Sequence, residues 1–158
     1  ISMLLSQAGY RVTATDLDDE VLEKMKTLAS SYNFSLKIEK ADVLRLPYRD
    51  KSFDTDFSQG LLEHFSDEDV IQALREQGRV ANTVIMDVPI SRFKKKPFGD
   101  ERLLSVRHWK KLVYTSGLRI VYIYGRELAK YSQLFPQYFV RRFSYLFGKK
   151  LGLILRKA

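Results

Sequence analysis

The sequence predicts an α/β fold with a mostly parallel sheet. Short apolar or β-branched runs alternate with segments of helical periodicity along the whole chain, which is typical of such a sheet. The chain has 158 residues, of which 45% are hydrophobic, and this suits the core of one domain. We therefore expect a single α/β domain over residues 1–158.

The first elements follow from periodicity and from helix-end signals. Residues 1–7 have the pattern of a helix end, and Gly9 is the expected stop. Residues 11–15 are short and β-branched, as in a buried strand, and Asp18 with Asp19 opens the next helix. The apolar stripe of that helix is expected to comprise Val21, Leu22, Met25, Leu28 and Ala29.

Three further strands are predicted at residues 36–41, 53–57 and 83–88. The helix between the last two is expected to begin after Ser66 and to end near Gly78. The remaining predicted elements are a basic loop (90–104), a helix capped by Ser105 and ended by Gly117, a strand (118–124), a helix around Pro136 and a final strand (151–155).

Composition excludes several classes of site. The sequence has no cysteine, which excludes disulfides and thiolate metal sites and fits a reducing, cytoplasmic compartment. Uncharged runs such as residues 131–140 are too short for a bilayer span of roughly 20 residues, and no signal peptide pattern is present. Because the chain opens at Ile1 inside an apolar helical pattern, we expect that an N-terminal part of the domain is missing from it.

Charge is distributed unevenly along the chain. Residues 1–91 contain 10 Lys/Arg and 16 Asp/Glu, whereas residues 92–158 contain 17 Lys/Arg and 3 Asp/Glu. This asymmetry suggests an anionic partner for the C-terminal part, such as nucleic acid, a membrane surface or an acidic substrate, while a solvated basic face is the simpler explanation. The basic side chains that would contact a membrane belong to the last helix (Arg141, Arg142, Lys149, Lys150), whereas Lys94, Lys95 and Lys96 of the loop would hold the phosphates of a nucleic acid.

The stretch FDTDFSQGLLEHF, residues 53–65, reads as a strand, a turn and the approach to a helix. In open parallel sheets, ligands bind beyond the carboxyl ends of the strands, where this turn falls. Glu63 and His64 follow it directly. Two earlier strands lead into acidic residues, Asp16 and Asp42, at the same expected edge.

Four short motifs occur in one order: strand–Asp16, strand–Asp42-Val43, Phe53-Asp54 with its Gly60 turn, and Leu62-Glu63-His64. Together they resemble the class I S-adenosylmethionine-dependent methyltransferases, in particular the small-molecule branch that includes ubiquinone-biosynthesis O-methyltransferases. The resemblance covers residues 9–88 and also fits residues 108–121. It implies a Rossmann-like sheet with an antiparallel last strand, S-adenosylmethionine as cofactor and a small-molecule methyl acceptor.

The resemblance also implies roles for individual residues. Asp16 would accept hydrogen bonds from the cofactor's ribose hydroxyls, for which an acceptor-only carboxylate is suited, and Leu17 would pack against the adenine. Asp42 would accept from the adenine amino group, and the Val43 N–H would meet the ring. Gln59 would line the methionyl end. The plainer interpretation is that the two aspartates only serve helix entry and a turn.

A base is required if the acceptor is a hydroxyl group. His64 is the candidate because imidazole titrates near physiological pH, and Glu63 would orient it or contact the acceptor. The alternative for His64 is a structural role in the turn. His108 is expected on an exposed helix face, and Trp109 is expected in the core.

Two features depart from the family pattern. The family's opening strand and glycine-rich turn would lie before Ile1, so we expect this chain alone to bind the cofactor poorly and to be inactive. Asp56 stands where the family has an apolar residue, and a buried carboxylate is costly unless it is paired. Two other hypotheses compete: an RNA methyltransferase and a non-catalytic interaction module. The first is less favoured because SQGL, residues 58–61, stands in place of an NPPY-type motif.

Overall fold

The computed structural model describes residues 1–91, 99–128 and 148–158. In these residues helices and strands are interspersed, as predicted for an α/β fold, although no helix separates the strands Lys37–Lys40 and Phe53–Gln59. The chain divides into two compact units, Ile1–Pro47 and Tyr48–Ala158, and each is described by itself. The predicted helix around Pro136 and the centre of the basic loop lie outside the described residues. None of the described helices is long and apolar enough to cross a membrane.

The first unit combines two parallel strands with two helices. Helix α1 spans Ser2–Gln7, and Gly9 follows at φ +89°, in the left-handed region that favours glycine, so the predicted stop is confirmed. Strand β1 (Thr13–Asp16) pairs in parallel with β2 (Lys37–Lys40), and α2 (Asp19–Ser31) connects them.

Helix α2 begins where it was predicted but buries less than was predicted. Asp18 caps it, because the Asp18 carboxylate accepts a hydrogen bond from the Glu20 amide at 2.7 Å. Leu22 and Ala29 are buried, whereas Leu28 is 47% exposed. The β1–β2 sheet has two strands of four residues each, and its face is too narrow to cover the whole stripe.

The second unit contains a four-stranded mixed sheet in the order β3–β4–β6–β5. Strands β3 (Phe53–Gln59) and β4 (Ala81–Pro89) are parallel and are joined through α3 (Asp67–Val80). Strand β6 (Gly148–Lys157) is antiparallel to both β4 and β5 (Leu118–Leu128), which confirms the predicted direction of the last strand. Among the described strands β3 pairs with β4 alone, and the expected absence of an opening strand stays a prediction.

Helix α3 begins and ends close to where it was predicted. Ser66 caps it by accepting a hydrogen bond of 3.1 Å from a first-turn amide. The helix ends at Val80, two residues after Gly78, which confirms the predicted end near Gly78, and β4 follows directly at Ala81. Gly78 itself is explained by packing, since a Cβ at this position would lie 2.7 Å from a methyl group of Leu118.

Helix α4 (Val106–Thr115) seals the core of the second unit. Ser105 caps it through the His108 amide, and Gly117 follows it at φ +83°, so both predicted ends are confirmed. Trp109 is fully buried, as predicted, and its indole N–H donates to the Pro89 carbonyl at 3.3 Å. The core also contains Val70, Leu74, Val84, Met86, Leu112, Val113, Leu153 and Leu155.

Candidate functional site

The predicted adenosine-binding residues lie at the carboxyl ends of β1 and β2, in the first unit. Asp16 is the last residue of β1 and is in register with Lys40, the last residue of β2. The Ala41 N–H donates to the Asp16 carbonyl at 3.1 Å, so the two strand ends are held side by side. Asp42 follows at once. The structure therefore brings the two predicted carboxylates to one edge of this sheet.

Each of these carboxylates also shapes its own turn. Asp16 Oδ1 accepts from the amide two residues on at 3.0 Å, and Asp42 Oδ1 does the same at 2.8 Å. Such turns explain why an aspartate suits each position. A carboxylate has two acceptor oxygens, and each of these hydrogen bonds uses only Oδ1. Leu17 beside them is 59% exposed, and Val43 is half-buried.

The other predicted site residues lie in the second unit, at the carboxyl end of β3. Gln59 is the last residue of β3, is exposed and is in register with Asp87 of β4. Gly60 turns the chain at φ +67°. A single turn of 3₁₀-helix, Leu62–His64, follows and carries both predicted catalytic residues. Gln59, Glu63 and His64 thus share one strand end.

Glu63 is a buried carboxyl group. Glu63 is 5% exposed, and its Oε2 has no hydrogen-bond partner in the described part of the chain. Burial raises the pKa of Glu63, and the nearby charges of Asp87 and Glu101 raise it further, while its own backbone and His64 act in the opposite direction. Glu63 therefore holds a proton more tightly than an ordinary glutamate.

His64 is paired with a carboxylate that was not singled out from the sequence. Its Nδ1 lies 3.0 Å from Asp100 Oδ1, and the two side chains are 24% and 66% exposed. Asp100 belongs to the segment that precedes α4. This is an ion-pair contact, and because a carboxylate oxygen can only accept, it favours a proton on Nδ1 of the imidazole.

The segment that carries Asp100 is anchored next to His64 by Arg102. The Arg102 backbone N–H donates to the Glu63 carbonyl at 2.8 Å, and its guanidinium donates to the Phe65 carbonyl and to Asp67. His108 Nε2 lies 2.8 Å from the other oxygen of Asp67, so His108 is a paired side chain on a partly exposed helix face. The hydrogen bond from Arg102, and secondly the contact with His108, lower the pKa of Asp67.

Sequence patterns gave little indication of these partners. Residues 92–158 contain only 3 Asp/Glu, and two of these, Asp100 and Glu101, are adjacent. This isolated acidic pair within a basic half of the chain is the signal that would have found Asp100. In the described residues, no group of three or more His, Cys, Asp or Glu side chains is arranged to hold a metal ion.

Asp56 on β3 is paired, which accounts for a carboxylate in this position. Gln77 Nε2, on α3, donates to Asp56 Oδ1 at 2.5 Å, and Gln77 is 2% exposed. Burial raises the pKa of Asp56 from 3.8 to about 6, and the hydrogen bond from Gln77 offsets part of this effect. The carboxylate is therefore bound but poorly solvated.

Comparison with sequence families matches residues 1–83 to a family described as "Methyltransferase domain". Comparison with curated proteins found no significant match. The matched segment contains the predicted adenosine-binding residues and also contains Gln59, Glu63 and His64.

Comparison with solved structures finds similar folds at low sequence identity. A structure of an S-adenosylmethionine-dependent methyltransferase from Methanosarcina mazei is 17% identical with a TM-score of 0.73, covering 99% of this chain and 86% of that chain. A Pyrococcus horikoshii protein is 16% identical with a TM-score of 0.74, covering 99% and 76%. Magnesium protoporphyrin IX methyltransferase from Synechocystis, with bound S-adenosylmethionine, is 15% identical with a TM-score of 0.71, covering 99% and 64%. These likenesses confirm the predicted Rossmann-like methyltransferase fold.

Proposed function

Since this chain belongs to the class I S-adenosylmethionine-dependent methyltransferases, we propose that it serves the transfer of a methyl group from S-adenosylmethionine to a small-molecule acceptor. The cofactor supplies the activated methyl group, so the protein's part is to bind, align and exclude water. The observation that carries the proposal is the position of Asp16 and Asp42 at neighbouring carboxyl ends of parallel strands.

The donor and acceptor chemistry at these strand ends fits an adenosine. We propose that Asp16 accepts from the ribose hydroxyls, because a carboxylate that already bonds the backbone through Oδ1 still has acceptor capacity. Asp42 is proposed to accept from the adenine amino group. The exposed side chain of Leu17 would cover one face of the adenine, with the Val43 N–H at its edge. Gln59, the last residue of β3, is proposed to line the methionyl end of the cofactor.

His64 is the proposed base for a hydroxyl acceptor. It lies on the turn after β3, and an imidazole changes charge in the physiological range, so it can take the proton that the acceptor loses. Glu63 is proposed to act on it through electrostatics, because its carboxyl group is buried beside His64 and is not exposed to bulk solvent. The proton would thus be held at His64 while the acceptor oxygen is methylated.

A further partner is proposed for the basic C-terminal part of the chain. An anionic partner, such as a membrane surface, is supported by the excess of Lys/Arg in residues 92–158. Nucleic acid is less favoured because SQGL stands in place of an NPPY-type motif. The cysteine-free sequence supports a cytoplasmic location for the activity.

The proposed function is tested by titrating S-adenosylhomocysteine, by calorimetry, into this chain and into a form extended upstream by any residues that precede Ile1 in its gene. Asp16→Ala is the informative variant, and Asp19→Ala, an exposed carboxylate three residues on, is its matched control. We expect Asp16→Ala to weaken binding by about tenfold or more, since it removes hydrogen bonds worth about 1 kcal/mol each, while Asp19→Ala stays within about twofold.

The outcome distinguishes the competing hypotheses. Binding that depends on Asp16 supports the methyltransferase, and binding limited to the extended form supports the expected absence of part of the cofactor site from this chain. If neither form binds while circular dichroism shows both to be folded, the proposed function is wrong and the non-catalytic interaction module replaces it.

A further inference from the structure

We propose that Asp100 is a positioning residue for His64, which holds the imidazole in the tautomer whose Nε2 is the basic nitrogen. The use of this tautomer in catalysis rests on the proposed methyl transfer, but the pairing itself does not. Its basis is the 3.0 Å contact between Asp100 Oδ1 and His64 Nδ1. Because the carboxylate can only accept, a neutral His64 carries its proton on Nδ1 and its lone pair on Nε2.

The position of Asp100 is fixed by the chain on either side of it. Gly99, at φ +90°, turns the backbone, and its N–H donates to the Glu101 carboxylate at 3.0 Å. Two residues after Asp100, the Arg102 backbone is bonded to the Glu63 carbonyl at 2.8 Å. The carboxylate is thus held between a closed turn and a direct tie to the residue before His64.

Electrostatic anchoring adds to this backbone tie. The Arg102 guanidinium bonds both Asp67 and the Phe65 carbonyl, on the far side of His64 from Glu63. Arg102 therefore contacts the chain on both sides of His64. This arrangement holds a short peptide segment against the 3₁₀ turn, and Asp100 is the side chain of that segment that reaches the imidazole.

Orientation accounts for the His64–Asp100 pair better than stability does. Asp100 is 66% exposed, and ion pairs in such surroundings contribute little to folding, typically below about 1 kcal/mol. The same contact has a large effect on the imidazole, because imidazole in water favours the tautomer with its proton on Nε2. A carboxylate at Nδ1 reverses that preference and places the lone pair of a neutral imidazole on Nε2.

The second histidine provides an internal control. His108 is held by its other nitrogen, since Nε2 lies 2.8 Å from Asp67 Oδ2. A neutral His108 therefore carries its proton on Nε2. The chain has only two histidines, and their contacts with Asp100 and Asp67 favour opposite tautomers.

The test is a long-range ¹H–¹⁵N correlation spectrum of this chain labelled with ¹⁵N-histidine, recorded at alkaline pH, where an ordinary imidazole is neutral. His108→Gln assigns the two signals. We expect the Nδ1–H pattern for His64 and the Nε2–H pattern for His108. Asp100→Ala is expected to convert His64 to mostly Nε2–H while leaving His108 unchanged, and Asp100→Glu is expected to retain much of the original pattern.

The control and the contrary results are built into the same spectra. An unchanged His108 signal in Asp100→Ala shows that the fold around α4 is intact, which is expected because Asp100 is exposed. An Nε2–H pattern for His64 in the unaltered chain, or no response of His64 to Asp100→Ala, overturns the proposal. None of these results requires a cofactor, so they are independent of the S-adenosylhomocysteine titration.

Discussion

The Asp56 carboxylate accepts a hydrogen bond of 2.5 Å from the Gln77 amide and so joins β3 to α3 by a polar contact. Gln77 is 2% exposed, and its Oε1 has no partner in the described residues. The other buried residues of α3 are Val70, Ala73, Leu74, Gly78 and Val80. A single polar pair thus lies inside a layer of apolar side chains, and it gives the second unit a measurable dependence on pH.

Asp56→Asn is expected to remove that pH dependence. The pKa of Asp56 is raised from 3.8 to about 6, so the folded protein binds this proton more tightly than the unfolded chain. The resulting stabilisation is complete below about pH 4 and is lost as pH rises through about 6. Relative to the unaltered chain, Asp56→Asn should gain up to about 3 kcal/mol between pH 4 and pH 7.5.

Urea unfolding followed by Trp109 fluorescence measures this difference. Trp109 is the only tryptophan and is fully buried in the second unit, so its signal reports on that unit. Asp54→Asn, an exposed aspartate on the same strand, is the matched control and should change little. Parallel pH profiles for the unaltered chain and Asp56→Asn would contradict the assignment.

Replacing both members of the polar pair is expected to be far less harmful than replacing Gln77 alone. Gln77→Leu leaves the Asp56 carboxylate without its donor, which costs about 1–3 kcal/mol at neutral pH. Asp56→Val with Gln77→Leu removes the unsatisfied group and extends the apolar layer, so stability should return to that of the unaltered chain or exceed it. The double-mutant cycle, measured by Trp109 fluorescence, gives the coupling energy; simple additivity would show that the two side chains do not interact.

Helix starts could be predicted from the sequence because capping is local. Asp18, Ser66 and Ser105 each bond an amide two or three residues away, so the signal lies within one turn of chain. The packing role of Gly78 could not be predicted because its cause is tertiary: the close approach of Leu118 excludes a side chain there.

The candidate site could be predicted only where its residues are strand ends. Asp16 ends a strand, and Asp42 and His64 lie within a few residues of a strand end, and hydrophobic periodicity shows where strands end. The partner of His64 could not be found in this way. Asp100 is 36 residues further along the chain, and no periodic pattern links the two positions.

Asp67→Asn is expected to loosen the segment that carries Asp100. Asp67 binds both Arg102 and His108. Because these contacts lower its pKa, the negative charge of Asp67 stabilises the folded protein above the ordinary pKa of an aspartate, and this stabilisation is lost only at lower pH. At neutral pH, removing this charge should speed amide hydrogen exchange at Arg102 by roughly tenfold. Glu68→Gln removes a neighbouring charge from the same helix turn and should leave that exchange rate unchanged, apart from a small helix-dipole effect. Equal effects of the two variants would show that Asp67 acts only through the helix dipole.

Gly152→Ala is expected to destabilise the antiparallel part of the sheet. Gly152 of β6 is in register with Tyr124 of β5, and a Cβ on Gly152 would lie 2.1 Å from Cζ of the Tyr124 ring. The ring must therefore move, at a cost of about 1–3 kcal/mol. In a Tyr124→Ala background the same change has no ring to displace, and it should be neutral or should stabilise by about 0.5–1 kcal/mol because glycine is unfavourable within a strand. Trp109-monitored unfolding of the four variants tests this, and an equal cost of Gly152→Ala in both backgrounds would show that the Tyr124 ring is not what requires a glycine there.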